Sequence, residues 1–263
     1  MTSKVSTGGI AFKGIGVRYS SSTGQEVVVM DDFNLDIPAG QFVAIVGPSG
    51  CGKSTLLRVL SGLVAPAAGT ALIDGLSAAQ TKERIGFMFQ RDTLLPWATV
   101  HENIAIGLEL GGFPAAKVNE RIKELLAFLK LSGFENHMPH QLSGGMRQRV
   151  SLGRLLAYDP DIFLMDEPFG ALDSQTKAAM GKELLRIWEQ HQRTVLFVTH
   201  DIEEAVTLAD RVIVLSPRPG TVKLDVPINL PRPRDPRLLR KQEVYIDYVD
   251  SIWREIDTGA EVV

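Results

Sequence analysis

With 263 residues, the chain is long enough for one large α/β domain or two small ones. Its hydrophobic content of 44% and charged content of 22% are those of an ordinary globular protein, and a net charge of −3 argues against a nucleic-acid surface, which needs a basic stripe. A single cysteine, Cys51, excludes a disulfide framework and a cysteine-based zinc site, and no apolar run is long enough for a membrane-crossing helix.

In chain order, MTSKVSTGGIAFKG lacks the apolar core of a signal peptide, and short β-rich segments follow: VVVM ending before Asp31, and QFVAIV over Gln41–Val46. After GPSGCGKST, the run STLLRVLSGL spaces Leu56, Leu57, Val59, Leu60 and Leu63 as a helix does. TALIDG (Thr70–Gly75) reads as a strand ending in an Asp-Gly turn, and RIGFMF (Arg84–Phe89) as another, ending at Gln90. From about Arg91 to Asp159 the pattern turns helical; ERIKELLAFLKL puts Ile122, Leu125, Leu126 and Leu129 on one face. Strands return with DIFLMD (Asp161–Asp166) and TVLFVTH (Thr194–His200), with the helical TKAAMGKELLRIWEQ between them. This alternation predicts a mainly parallel sheet covered on both faces, with the middle helices inserted into it. The tail LLRKQEVYIDYVDSIWREI places Leu238, Leu239, Tyr245, Ile246, Val249, Ile252, Trp253 and Ile256 at helical spacing. It is expected to pack on its own domain or a partner; Arg232, Arg234, Arg237, Arg240 and Lys241 also leave a membrane-surface role open, although acids intersperse.

Three motifs carry the chemistry. Gly47, Pro48, Ser49, Gly50, Cys51, Gly52, Lys53, Ser54 and Thr55 stand between a strand and a helix, the context of a Walker A loop. Its glycines bring backbone N–H groups to phosphates, and the helix start adds partial positive charge. Lys53 reaches the β- and γ-phosphates and the Ser54 hydroxyl ligates Mg²⁺. A bulky thiol reagent at Cys51 is expected to block ATP binding. DIFLMDE ends a buried strand with two acids: Asp166 suits the metal shell and Glu167 the polarisation of an attacking water. QLSGGMRQRVSLGRLLAYDP opens a helix with Ser143, Gly144 and Gly145, a second anion-ready helix start in the same chain.

Together these motifs resemble the ATP-binding subunits of ABC transporters, over roughly residues 9–236. Leu142-Ser143-Gly144-Gly145-Met146 is similar to their signature motif, with Met146 where Gln is usual. Tyr19 resembles the aromatic that stacks on adenine, Gln90 the glutamine that senses the γ-phosphate and the membrane subunit, Asp166 and Glu167 the Walker B aspartate and catalytic glutamate, Ala171-Leu172-Asp173 the D-loop, and His200 the switch histidine.

The resemblance implies an α/β P-loop NTPase fold with a mainly parallel core sheet, antiparallel β elements and an inserted helical subdomain. As a single domain over 1–263, it would have its core at about 9–91 and 160–235, helical subdomain at about 92–159 and helical tail at about 236–263. It implies ATP and Mg²⁺, with Glu167, His200, Lys53 and Gln90 catalytic, and Ser54, Gln90 and Asp166 at the metal. It further implies a head-to-tail homodimer on ATP binding, in which each ATP lies between one loop and the other copy's signature segment.

The LLPW segment (Leu94–Trp97), SPRPGTV (Ser216–Val222) and PRPRDPR (Pro231–Arg237) resemble the nitrate/sulfonate/taurine branch of importers. That branch implies separate transmembrane permease subunits, a periplasmic or extracellular substrate-binding protein, and a place at the cytoplasmic face of the membrane, with no nucleic-acid partner. Trp97 then either receives a short helix of the membrane subunit or packs on its own domain. The rival class is a soluble ABC protein of DNA repair, translation or cluster assembly, though the long coiled-coil insertions or tandem ATPase domains usual there are missing; LSGGM and His200 together disfavour a P-loop kinase.

Overall fold

The computed structural model describes residues 7–20 and 24–257. Two long strands come first, β1 (Ile10–Ser20) and β2 (Glu26–Ile37), then β3 (Phe42–Val46) and helix α1 (Lys53–Leu60). Next are β4 (Ala68–Ile73), the two-residue β5 (Leu76–Ser77), the one-turn α2 (Ala78–Thr81) and β6 (Ile85–Met88). Helices α3 (Val100–Leu110), α4 (Val118–Phe128) and α5 (Gly144–Tyr158) separate β6 from β7 (Ile162–Asp166). The remainder is α6 (Ser174–His191), β8 (Thr194–Val198), α7 (Ile202–Leu208), β9 (Arg211–Leu215), β10 (Val222–Pro227), α8 (Pro236–Leu239) and α9 (Glu243–Asp257).

The strands make two sheets. A six-stranded sheet in the order β10-β9-β3-β8-β7-β6 is parallel except for β10 at its edge, and β2-β1-β4-β5 form a second, antiparallel sheet. In β3, β7, β8 and β9 side chains alternate between two cores, the period-2 pattern of strands buried on both sides. Phe42, Ala44, Val46, Met165, Phe197 and Val214 face the helices, whereas Val43, Ile45, Leu164, Leu196, Val198 and Ile213 face α1 and the antiparallel sheet, meeting Leu56, Leu57, Phe12 and Phe33. The expected mainly parallel sheet is therefore present, but one of its faces is covered largely by a second sheet. Phe42 fixes the helical side: its ring lies 5.9 Å from Trp188 and 5.7 Å from Phe197, and truncating such a side chain costs about 3–5 kcal/mol.

The helices between β6 and β7 are secured by caps. Thr99 accepts from the Glu102 N–H while the Glu102 carboxylate takes the Thr99 N–H, a capping box at the start of α3. Fully buried Asn103 accepts from the Leu95 N–H and donates to the carbonyls of Ala98 and Thr99, pinning the Leu94–Trp97 segment. With Leu94 buried as the anchor, Trp97 is left 74% exposed, so it does not pack on its own domain.

The tail folds back, with Leu239, Tyr245 and Ile252 buried and Leu238, Ile246 and Trp253 exposed. Two of its neighbouring arginines turn inward, against the membrane-surface reading. Arg234 donates to the carbonyls of Val206, Thr207, Ala209, Ile228 and Leu230, while Arg232 bonds Asp210 and lies 4.4 Å over the Trp188 ring. Arg240 pairs with Glu203. None of the described helices is long and apolar enough to cross a membrane.

Candidate nucleotide site

Strand order brings the chemistry together. β6, β7, β8 and β3 are consecutive neighbours, so Gln90, the acids at 166–167, His200 and the loop at 47–55 all follow the carboxyl ends of adjacent parallel strands, where open α/β sheets bind ligands.

Glycine at two loop positions is dictated by space as well as by backbone angle. Gly47 has φ 149° and a Cβ there would stand 2.9 Å from the Leu215 carbonyl oxygen; at Gly52, φ 109°, it would stand 2.8 Å from the Met30 methyl. Gly52 caps α1 without a side chain, which leaves first-turn N–H groups open to an anion. Lys53 is buried inside the loop, its Nζ donating to the carbonyls of Gly47 (2.7 Å) and Pro48 (2.9 Å).

Beneath the loop, Ser54 Oγ donates to Asp166 Oδ1 at 2.7 Å. Burial pushes the Asp166 carboxyl above the usual carboxylate range, against the opposing pull of the Ser54 bond. Glu167 adopts φ 48°, a left-handed conformation uncommon for its type, held by its N–H on the Val198 carbonyl at 2.9 Å. That backbone sets one oxygen, Oε2, between two polar side chains: Gln90 Nε2 donates to it at 3.0 Å, and His200 Nδ1 faces it at 3.3 Å. Lys53, Ser54, Gln90, Asp166, Glu167 and His200 thus line the ends of four neighbouring strands.

The donor set fits Mg²⁺. A hydroxyl and a carboxylate lie side by side, and an ion bound mainly through phosphates and water needs only one or two protein oxygens. No cluster of three or more His, Cys, Asp or Glu suited to an all-protein metal cage occurs among the described residues.

Four predicted contact residues, Ser143, Gly144, Gly145 and Tyr19, lie apart from this cluster. Ser143 caps α5, its Oγ accepting from the Met146 N–H at 3.3 Å, and no hydrogen bond among the described residues joins Ser143, Gly144 or Gly145 to residues 47–55. A Cβ on Gly144 would meet only the Arg147 guanidinium, at 3.9 Å, whereas one on Gly145 would come 3.1 Å from Leu172. Tyr19 is 41% exposed near the end of β1 and pairs with Val27 on β2, the strand whose Val29 and Met30 back the phosphate loop at Gly52.

The sequence profile of the ABC transporter family matches residues 30–170. The chain belongs to the ATP-binding proteins of that family. An uncharacterised ABC transporter ATP-binding protein of Methanocaldococcus jannaschii is 49% identical to this ABC ATPase over 212 residues, 81% of this chain and 79% of the relative. An aliphatic sulfonates import ATP-binding protein of Bacillus cereus is 41% identical over 235 residues, 89% and 92% of the two chains. Among solved structures, a dimeric bacterial ABC transporter cassette superposes with a TM-score of 0.76 at 35% identity, covering 84% of this chain and 99% of the cassette. The same cassette is also known in a post-hydrolysis state bound to ADP and Pi. This chain is an ATPase.

Sequence reasoning misplaced one side chain of the ABC ATPase and missed two more. Cys51 is buried at 1% exposure and its thiol is pushed up by that burial, which runs against the expected block of ATP binding by a bulky thiol reagent, since that expectation needs an accessible thiol. Arg218 stretches over Gly50, its Nη2 2.8 Å from where a Cβ would stand, and forms no ion pair among the described residues. The only signal for it was its SPRPG segment, already noted for another reason. Glu204, half-buried behind His200, gave no signal in a helix otherwise ordinary in pattern.

Proposed function

We propose that this ABC ATPase is the ATP-hydrolysing subunit of an importer and works as a homodimer closed head to tail by ATP. The observation that carries this reading is the doubled provision for phosphate in one chain. The loop at 47–55 holds Lys53, and a separate helix start at Ser143–Gly145, with only the Arg147 guanidinium within 4 Å of a Cβ on Gly144, is unconnected to that loop. Head-to-tail pairing sets each copy's Ser143–Gly145 against the ATP on the other copy's loop, so two identical chains complete two sites.

Within each site, Lys53 and the first-turn N–H groups of α1 neutralise the phosphates, and Tyr19 stacks on the adenine. Glu167 positions and polarises the attacking water, with Gln90 and His200 on its Oε2 side orienting the γ-phosphate. Mg²⁺ held by Ser54, Gln90 and Asp166 would neutralise charge developing on the β- and γ-phosphate oxygens.

Exposed Trp97 and a groove of about 150 Å³ lined by Phe87, Arg91, Thr93, Leu110 and Arg154 suit a helix from a separate membrane subunit. The likeness to sulfonate import proteins supports a solute of the nitrate, sulfonate or taurine type, delivered by a substrate-binding protein, with this chain on the cytoplasmic face.

The test is recovery of partners by the tagged chain from detergent-solubilised native membranes, with Trp97→Ala alongside and mass spectrometry as readout. A polytopic membrane protein captured by the wild type and weakened in the variant supports the importer. Recovery of soluble partners alone overturns it in favour of a non-transport ABC ATPase.

A further inference from the structure

His200 is the middle residue of a three-residue turn, and Glu204 holds both of its neighbours, Thr199 through its carboxyl and Asp201 through its backbone N–H. The turn leaves β8 at Val198 and enters α7 at Ile202. On one side of His200, Thr199 Oγ1 accepts from the Asp201 N–H at 3.1 Å and donates to Glu204 Oε2 in a short contact. On the other, Asp201 Oδ1 accepts from the Glu204 N–H at 3.1 Å. Thr199 is itself buried and bonded through its N–H to the Ile45 carbonyl of β3, so the turn is anchored to the strand that carries the phosphate loop. His200, 63% exposed in its side chain, owes its position to this frame.

We propose that Glu204 is a positioning residue for ATP hydrolysis, its carboxyl clasping Thr199 on one flank of His200 while its backbone N–H holds Asp201 on the other, so that the imidazole faces Glu167 and ATP, with a clasp on Thr199 that tightens when the carboxyl ionises. This rests on the reading of His200 and Glu167 as the hydrolytic pair.

The surroundings of Glu204 make its ionisation responsive near neutrality. Its second oxygen, Oε1, is buried with no hydrogen-bond partner among the described residues, and the residue lines a cavity of about 130 Å³ between α6, α7 and the C-terminal segment. Burial pushes the carboxyl up to about 7; the Thr199 bond and Lys177 pull it down, and Asp201 and Glu167 push it further up. From α6 it is faced by Lys177, already tied to Asp201 at 3.2 Å, and by Lys182; the C-terminal segment contributes Arg234, Arg240 and Tyr245, and its own helix Glu203.

A proton on Oε1 leaves Oε2 free to accept from Thr199, so the clasp holds in both charge states. Once ionised, the same bond becomes charge-assisted, roughly twice as strong as its neutral counterpart. Glutamine at 204 keeps an acceptor for Thr199 and never ionises, while alanine removes the hold on Thr199 and leaves the backbone bond to Asp201.

The experiment is ATP hydrolysis at saturating Mg²⁺ from pH 6 to 8 by wild type, Glu204→Gln, Glu204→Ala, Thr199→Val and His200→Ala. The expected kcat of Glu204→Gln is within twofold of wild type at pH 6 and falls to about a third of it by pH 8, with the ratio changing around pH 7. Glu204→Ala and Thr199→Val each lose about tenfold in kcat at both ends with KM for ATP within twofold, and a chain carrying both substitutions, assayed beside them, loses no more than either alone. A Glu204→Gln to wild-type ratio that stays constant with pH overturns the proposal, as does loss seen in KM alone. His200→Ala at full kcat overturns the reading of His200 itself, and an inactive His200→Ala beside normal Glu204→Ala and Thr199→Val overturns the clasp alone.

Discussion

Ser54 Oγ and Asp166 Oδ1 stand 2.7 Å apart across 112 residues of sequence, joining the helix after the phosphate loop to the end of β7. The pair makes one oxygen face out of two motifs, and Asp166 is buried enough to need that partner. Ser54→Ala strips the carboxylate of its donor, a loss of about 1–3 kcal/mol for a buried group. The expected outcome is an ATP affinity that no longer improves when Mg²⁺ is added, with kcat down at least a hundredfold. Titration of a fluorescent ATP analogue with and without Mg²⁺ reads it; an unchanged Mg²⁺ effect rejects the metal role of this pair.

Arg234 is the structural counterpart, a guanidinium at 4% exposure spent on five backbone carbonyls from α7 and the segment after β10. Burial lowers its pKa to about 10, so it remains a cation at neutral pH. Arg234→Ala orphans those carbonyls and is expected to cost about 3–5 kcal/mol, or roughly 6–15 °C in Tm for a chain of this size. Lysine should not rescue it, because a point charge cannot reproduce the fork. Thermal unfolding of Arg234→Ala and Arg234→Lys checks both statements, and a lysine variant as stable as wild type contradicts the second.

Glu204 links stability to pH in a definite direction. Its folded-state carboxyl lies at about 7, above the ordinary 4.5, so below about pH 4.5 both folded and unfolded chains carry the proton and nothing is lost. As pH rises towards and through 7 the unfolded chain ionises freely while the folded one resists, and stability falls by up to about 3 kcal/mol. Glu204→Gln removes that term. Its Tm is expected to exceed that of wild type at pH 8 and the advantage to all but vanish at about pH 4; an equal difference at both pH values contradicts the assigned burial.

Cys51 supplies a chemical check on loop packing. Because the thiol is buried beside Gly47 and its pKa is raised, a bulky maleimide is expected to leave the native chain unlabelled and its ATP binding intact. Labelling should appear only in denaturant. Rapid modification of the native chain, read by intact mass, rejects this packing.

What the sequence revealed and what it hid have physical causes. The phosphate loop was legible because its glycines answer steric demands at fixed spacing, and the runs 42–46, 162–166 and 194–198 because a strand buried on both faces has no polar position to spare. The convergence of Gln90, Glu167 and His200 required the strand order as well. The antiparallel second sheet was harder to read: β1 carries register shifts around Gly14 that break its alternation. Inward Arg234 read as surface charge because its partners are backbone carbonyls, and carbonyls leave no trace in a sequence. Asn103 was silent for the same reason.

The central claim, that one copy's signature helix completes the other copy's ATP site, is tested most directly by sedimentation of Glu167→Gln with and without MgATP. Slowed hydrolysis should trap the closed form: a monomer without nucleotide, a dimer retaining two ATP with it, and a return to monomer when Ser143→Arg is added. A Glu167→Gln chain that binds ATP yet stays monomeric at saturation would contradict the account.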